Sequence, residues 1–121
     1  MSFPEDKTRV ASRPQPAPDA LPVLGTLRIT RCPDGTQVGR VWPIRAGETT
    51  IGRLTDNAIP LNDQDVSGHH ARILIREAEA HLLDTNSTNG SHVNGSRIVE
   101  VKLKKGDVLL LGSTALIYEP A

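Results

Sequence analysis

Cysteine occurs once in this 121-residue chain, at Cys32. A single thiol builds neither a disulfide framework nor a cysteine-based zinc site. Aromatic residues are almost missing: Phe3, Trp42 and Tyr118 make up 2% of the chain. Proteins that grip single strands by stacking bases need more of them. No sign of charge is in surplus. Lys plus Arg is 14 and Asp plus Glu is 14, so the broad basic field of a nucleic-acid backbone binder is missing. No long apolar run is present either, and neither a membrane span nor a secretory signal is read. The expectation left is a cytoplasmic, single-domain protein without metal, cofactor, nucleic acid or membrane partner.

Glycine and proline are unevenly spread. All ten glycines lie at Gly25 or later, while Pro4, Pro14, Pro16 and Pro18 fall in the first twenty residues. This break predicts a flexible, Pro-rich tail over residues 1–20 and a folded domain over residues 21–121. The tail has too few large apolar groups to offset the entropy of folding.

Within the domain the apolar period is two. Leu27 and Ile29 alternate with Arg28 and Thr30. Ala71, Ile73 and Ile75 alternate with Arg72, Leu74 and Arg76. Val99, Val101 and Leu103 alternate with Glu100, Lys102 and Lys104. Such alternation marks strands with one face in a core. Turn signals recur at short spacing, among them Asn89-Gly90 and Asn94-Gly95. Asn-Gly is a strong hairpin signal because both residues tolerate positive φ. The pattern predicts an all-β fold, an antiparallel β-sandwich without helices.

Three stretches carry candidate chemistry. Gly52-Arg53 ends an apparent strand; the bland reading is an exposed strand-end arginine. Asp65-Val66-Ser67-Gly68-His69-His70 precedes the strand at Ala71. There a serine that caps local N–H groups competes with a Ser-His nucleophile and base. No nucleophile elbow accompanies that pair. His69 and His70 point to opposite faces if they lie on a strand, so they do not chelate one ion. Asp84 to Gly95 is crowded with hydroxyls and amides and reads as a hydrophilic double turn. Its Asn-x-Ser/Thr matches at Asn86, Asn89 and Asn94 are turn chemistry in a chain with no secretory signal. Together the three stretches supply a permanent cation, two hydroxyls, an amide donor and glycines that expose backbone N–H. That inventory suits a phosphate dianion on an extended peptide.

The blocks Gly52-Arg53, Ser67-Gly68-His69-His70, Ser87-Thr88-Asn89-Gly90 and Asn94-Gly95, in this order and spacing, resemble the signature of the forkhead-associated (FHA) domain family. The resemblance covers residues 22–119. It implies an eleven-stranded FHA/SMAD-like sandwich that binds phosphothreonine peptides with loops at one end, an adaptor in Ser/Thr-kinase signalling and not an enzyme. It implies that Arg53 and Ser67 contact the phosphate, that Thr88 lines the pocket and that Asn89 holds the peptide backbone. His70 becomes structural, and Gly52, Gly90, Asn94 and Gly95 shape the loops. Partners implied are a phosphothreonine-containing protein or peptide and a Ser/Thr kinase.

Two positions depart from the family pattern. Gly68 stands where relatives often carry a phosphate-touching side chain, which leaves only its backbone N–H. Asp65 brings an acid to a loop position that helps read the residue three after the phosphothreonine, and so favours Lys or Arg there. In the tail, Thr8 lies beside Glu5 and Asp6 and is a candidate phosphosite. Phosphorylated, it would dock on its own domain or on another molecule's; unphosphorylated, it belongs to an inert tail. Competing functions are a phosphate-independent FHA scaffold, a small Ser-His hydrolase, and a nucleic-acid binder using Arg97, Lys102, Lys104 and Lys105.

Overall fold

The computed structural model describes residues 21–121. The tail expected over residues 1–20, and the Thr8 phosphosite with it, lie outside the described residues. The strands follow in the order β1 (Val23–Arg31), β2 (Val41–Arg45), β3 (Glu48–Gly52), β4 (Ile59–Pro60), β5 (Ala71–Arg76), β6 (Glu79–Asp84), β7 (Ser91–Val93), β8 (Ser96–Ile98), β9 (Glu100–Lys102), β10 (Val108–Leu111) and β11 (Thr114–Pro120). Among the described residues no helix is long and apolar enough to cross a membrane.

Two sheets result. One has six strands in the order β2-β1-β11-β10-β7-β8, the other five in the order β4-β3-β5-β6-β9. The period-two pattern explains the packing between them. Leu27, Ile29, Leu109, Leu111 and Leu116 project from the first sheet, and Ile51, Ile73 and Leu82 from the second; all eight are fully buried. Each such side chain stabilises the fold by about 1.5–3 kcal/mol relative to exposure.

Three expectations need correction. The sandwich is not wholly antiparallel: β4 runs parallel to β3, pairing Ile51 with Ile59 and Gly52 with Pro60. The chain leaves β3, makes a short excursion and returns alongside. The Thr50 hydroxyl fixes that return by accepting from the Ala58 N–H at 2.9 Å. Val99 is not a core residue. It sits at the bend between β8 and β9, 81% exposed, and the core-facing alternation begins only at Val101 and Leu103. Asn89-Gly90 makes no hairpin. It lies between β6 and β7, which belong to different sheets, and only its glycine has positive φ. Asn94-Gly95 does close a hairpin, joining β7 to β8 with φ of 52° and 88°.

The hairpin of β5 and β6 turns through Glu77-Ala78, at φ of 53° and 65°. Positive φ at both central residues is the type I′ condition that Asn-Gly normally meets. An alanine there costs roughly 1–2 kcal/mol in backbone sterics. Ala78→Gly is therefore expected to stabilise the domain by about 1 kcal/mol, raising the melting temperature by roughly 4–8 °C. Thermal unfolding of the two proteins checks this; an unchanged or lower midpoint would contradict it.

Candidate functional site

Three loops converge at one end of the sandwich around a depression of about 160 Å³, lined by Arg53, Gln64, Asp65, Val66, Ser67, Thr88 and Asn89. Arg53 follows β3, Asp65 and Ser67 lie between β4 and β5, and Thr88 and Asn89 lie between β6 and β7. Of the residues the sequence assigns to phosphopeptide contact, the structure brings together Arg53, Ser67, Thr88 and Asn89, with Asp65 beside them. Gly68 does not line the depression. Its carbonyl accepts from Asn57 Nδ2 at 2.8 Å and from the Leu54 N–H at 3.3 Å. Asn94 and Gly95 stand at the far end of β7, and the Asn94 side chain engages Asp107 and Val108. Those two residues set the β7–β8 hairpin and touch no part of the depression.

The arginine is aimed by its surroundings. Its backbone N–H donates to the Ser67 carbonyl at 2.9 Å, and its Nε–H donates to the Val66 carbonyl at 3.2 Å. The two terminal nitrogens have no acceptor among the described residues, and the side chain is exposed. A guanidinium pinned through Nε presents the rest of its fork to an anion. Opposite it, Ser67 Oγ accepts the Thr88 N–H at 3.0 Å. Asn89 Nδ2 donates to the Asp65 carbonyl at 2.7 Å and ties the third loop to the second.

Behind the depression lies His70, fully buried. Its Nδ1 accepts the Ser67 N–H at 3.0 Å, so the proton sits on Nε2, which donates to the Gly90 carbonyl at 2.9 Å. The ring thus bridges the Ser67 loop and the Gly90 loop. It reaches the serine through the backbone and not through the hydroxyl. A nucleophile–base pair needs the opposite arrangement. His69 is exposed and faces Asp56 at 3.6 Å; the two histidines diverge, although both precede β5 and neither lies on a strand.

Glycine at position 52 is required by close approach, not by φ. A Cβ there would stand 2.2 Å from the Gly68 carbonyl oxygen and 2.8 Å from Asn57 Nδ2. Gly90 has a φ of 82°, and the Arg97 guanidinium lies directly over it.

Several organising residues escape sequence reading. Asn57 is buried and donates to both Leu54 and Gly68 carbonyls, stapling the Arg53 loop to the Ser67 loop. Asp63 is buried too. Its carboxylate accepts the Asp65 N–H, the Ser113 N–H and the Thr114 hydroxyl, each at 2.8 Å. It ties the Ser67 loop to the β10–β11 turn, fifty residues away in sequence. Asp65 leans on the same turn, accepting from Ser113 Oγ at 2.7 Å.

The third loop is built on Asp84, which accepts from the Ser87 N–H and from the hydroxyls of Ser87 and Ser91. Ser87 Oγ in turn accepts the Gly90 N–H at 2.9 Å. Burial is the largest single influence on the Asp84 carboxyl and pushes its pKa up. The serine hydrogen bonds, with His70 nearby, together outweigh it and hold the pKa below the usual aspartate range. A folded-state pKa below the unfolded one contributes stability above the unfolded value and loses it as pH falls through the folded value. We expect the stability gap between the wild type and Asp84→Asn to shrink steadily from pH 5 to pH 2. Thermal melts across that range measure it; a constant gap would mean that the carboxylate charge does not hold the loop.

The cation cluster read as a nucleic-acid surface is split by the fold. Arg97 lies on β8 of one sheet, while Lys102 lies on β9 of the other and pairs with Glu79 at 2.7 Å.

Residues 49–112 match the family model described as the FHA domain. The chain is 39% identical over 93 residues to the FHA domain-containing protein FhaA of Mycobacterium tuberculosis, covering 77% of this chain and 17% of that protein. It is 31% identical over 100 residues to the oxoglutarate dehydrogenase inhibitor of Corynebacterium efficiens, covering 83% of this chain and 69% of that one. It therefore spans under a fifth of FhaA's length and about two thirds of the inhibitor's. A solved structure from work on phosphothreonine-dependent FHA domain interactions superimposes with a TM-score of 0.71 at 38% identity. That match covers 79% of this chain and 95% of the other. The motif blocks, the two-sheet architecture and these matches agree: the chain belongs to the forkhead-associated (FHA) domain family.

Proposed function

We propose that this chain is a phosphothreonine-dependent peptide-binding module of Ser/Thr-kinase signalling. It acts as a non-catalytic adaptor in the cytoplasm. The observation that carries the reading is the convergence of Arg53, Ser67, Thr88 and Asn89 on one depression, with the arginine's fork turned outwards. Arg53 and Ser67 hold the phosphate, Thr88 lines its pocket, and Asn89 holds the peptide backbone. The Gly68 side is left without a phosphate-touching side chain. Its carbonyl is committed to Asn57 and Leu54, and only its N–H remains to offer. Charge-assisted hydrogen bonds net about 1.5–3 kcal/mol each. Two or three of them, together with backbone contacts to the peptide, must offset the cost of ordering it, and a dissociation constant of about 1 μM, about −8 kcal/mol, is expected.

The similarity to an FHA domain studied for its phosphothreonine-dependent interactions supports the same reading. Binding to degenerate phosphothreonine, phosphoserine and unphosphorylated peptide libraries tests it. Selective capture of the phosphothreonine library is the expected result. Equal capture of all three would leave a phosphate-independent scaffold.

A further inference from the structure

The two outer faces of the sandwich differ in how their charges are disposed. On the five-stranded sheet every Lys and Arg has a carboxylate partner. Arg72 meets Glu48 at 2.7 Å, Arg76 meets Glu100 at 3.1 Å, and Lys102 meets Glu79 at 2.7 Å. That face is a closed lattice of cross-strand ion pairs.

The six-stranded sheet is different. Its register lays Arg31, Ala115, Leu110, His92 and Arg97 in one row across β1, β11, β10, β7 and β8. Two residues further from the loops runs a second row of Val41, Arg28, Ile117 and Val108. These positions alternate with the buried Leu27, Leu109, Leu111 and Leu116 and therefore face outwards. Val41 is 51% exposed and Val108 42%. Among the described residues no carboxylate pairs with Arg28, Arg31 or Arg97. The face carries apolar side chains, three guanidinium groups without a carboxylate partner among the described residues, and one acid, Glu119, beyond the second row.

This face runs into the candidate site at two places. A depression of about 420 Å³ opens at its loop end, lined in part by Arg31, Leu110 and Ser113. Ser113 also donates to Asp65 on the rim of the phosphate depression. At the other side, the Arg97 guanidinium covers Gly90, next to Asn89.

We propose that the outer face of the six-stranded sheet is a second docking surface for the protein that carries the phosphothreonine. It takes an extended segment of that partner whose sheet-facing side chains, every second residue along it, include both acids and apolar groups. The inference rests on the phosphopeptide reading of the site and names further chemistry of its partner. Acids of the segment meet Arg28, Arg31 and Arg97, and its apolar residues cover Leu110, Ile117 and Val108. A second copy of this face would set guanidinium against guanidinium, which favours an acidic partner over self-association. Five strands at about 4.8 Å spacing span roughly 19 Å, the reach of about six extended residues. A partner held at the phosphate therefore presents the segment at high effective concentration.

The test uses the full chain and two synthetic probes. One is a nine-residue phosphothreonine peptide; the other is the same peptide extended by ten residues in the repeat Glu-Ser-Leu-Ser, which puts Glu and Leu on one face of an extended chain, made with the extension on either side. We expect one extended form to bind at least tenfold tighter than the short peptide. The Arg28→Glu/Arg31→Glu variant is expected to lose that gain and to bind the short peptide as the wild type does. Equal affinity for short and extended peptides, or a gain that survives the double variant, would overturn the proposal. So would a dimer in sedimentation that Arg31→Glu dissociates, which assigns the face to a second copy. A spin label at Lys7→Cys, in a Cys32→Ala background, that broadens the Val108 and Ile117 methyl signals of the free chain would assign it to the chain's own first twenty residues. No binding of the short peptide at all would instead overturn the phosphothreonine reading of the site.

Discussion

Arg53→Ala is expected to weaken phosphothreonine-peptide binding by about 2–4 kcal/mol, roughly 30- to 1000-fold. Among the described residues the side chain is the only cation lining the depression, and in the reading proposed above it would meet the phosphate as a fork. One limb, Nε, is already spent on the Val66 carbonyl at 3.2 Å. That bond fixes the plane in which the remaining N–H groups point. Lysine carries the same charge but cannot both hold Val66 and offer a planar pair of donors. Arg53→Lys is thus expected to recover only part of the loss. Because Arg53 is exposed and gives up a single internal side-chain bond, the fold should weaken by about 1 kcal/mol or less. Calorimetry with one phosphothreonine peptide, beside a thermal melt, separates the two effects. A loss below about threefold in the alanine variant would remove Arg53 as the phosphate anchor.

His70→Ala is expected to act through the fold. The imidazole is fully buried and satisfies two backbone groups, the Ser67 N–H and the Gly90 carbonyl. Its removal leaves both unpaired, at about 1–3 kcal/mol each, and opens a cavity behind the loops. We expect a loss of about 3 kcal/mol or more, and a melting temperature lower by more than roughly 10 °C. Binding should weaken as well, because Ser67 and Asn89 lose their common support. Measured together, stability and affinity distinguish this from a direct role. A variant as stable as the wild type yet unable to bind would place the imidazole against the ligand.

What the sequence disclosed, and what it hid, follows from the range of the interactions. Strands β1 and β5 were legible because alternation is a local signal that burial enforces. Arg53, Ser67, Thr88 and Asn89 were legible through their motif blocks. The β3–β4 pairing was not, since two residues of strand carry no period. Glu77-Ala78 was hidden because the turn uses residues that ordinarily avoid positive φ. The loop framework was hidden for a different reason. Asp63 acts on Ser113 and Thr114 across fifty residues or more, and nothing near Asp63 in sequence announces those partners. Asn57 likewise looks like one more polar loop residue until the Gly68 carbonyl is seen against it. Asp84, Ser87 and Ser91 were read as part of a hydrophilic turn; their hydroxyls and carboxylate are in fact turned on one another.

That framework bears on the tempo of recognition. The amide nitrogen of Asn57 and the polar groups of Asp63, His70, Asp84 and Ser87 are committed to holding the loops, so the binding surface is shaped before a ligand arrives. A pre-shaped surface leaves little for the encounter step to wait on, and related peptides should arrive at similar rates, about 10⁶–10⁷ M⁻¹s⁻¹. With a dissociation constant of about 1 μM, departure then takes roughly a tenth of a second to one second. Discrimination among phosphorylated sequences becomes a matter of dwell time. On the phosphothreonine reading proposed above, the bound state would outlast a diffusive encounter and yet dissolve within seconds once the partner is no longer phosphorylated.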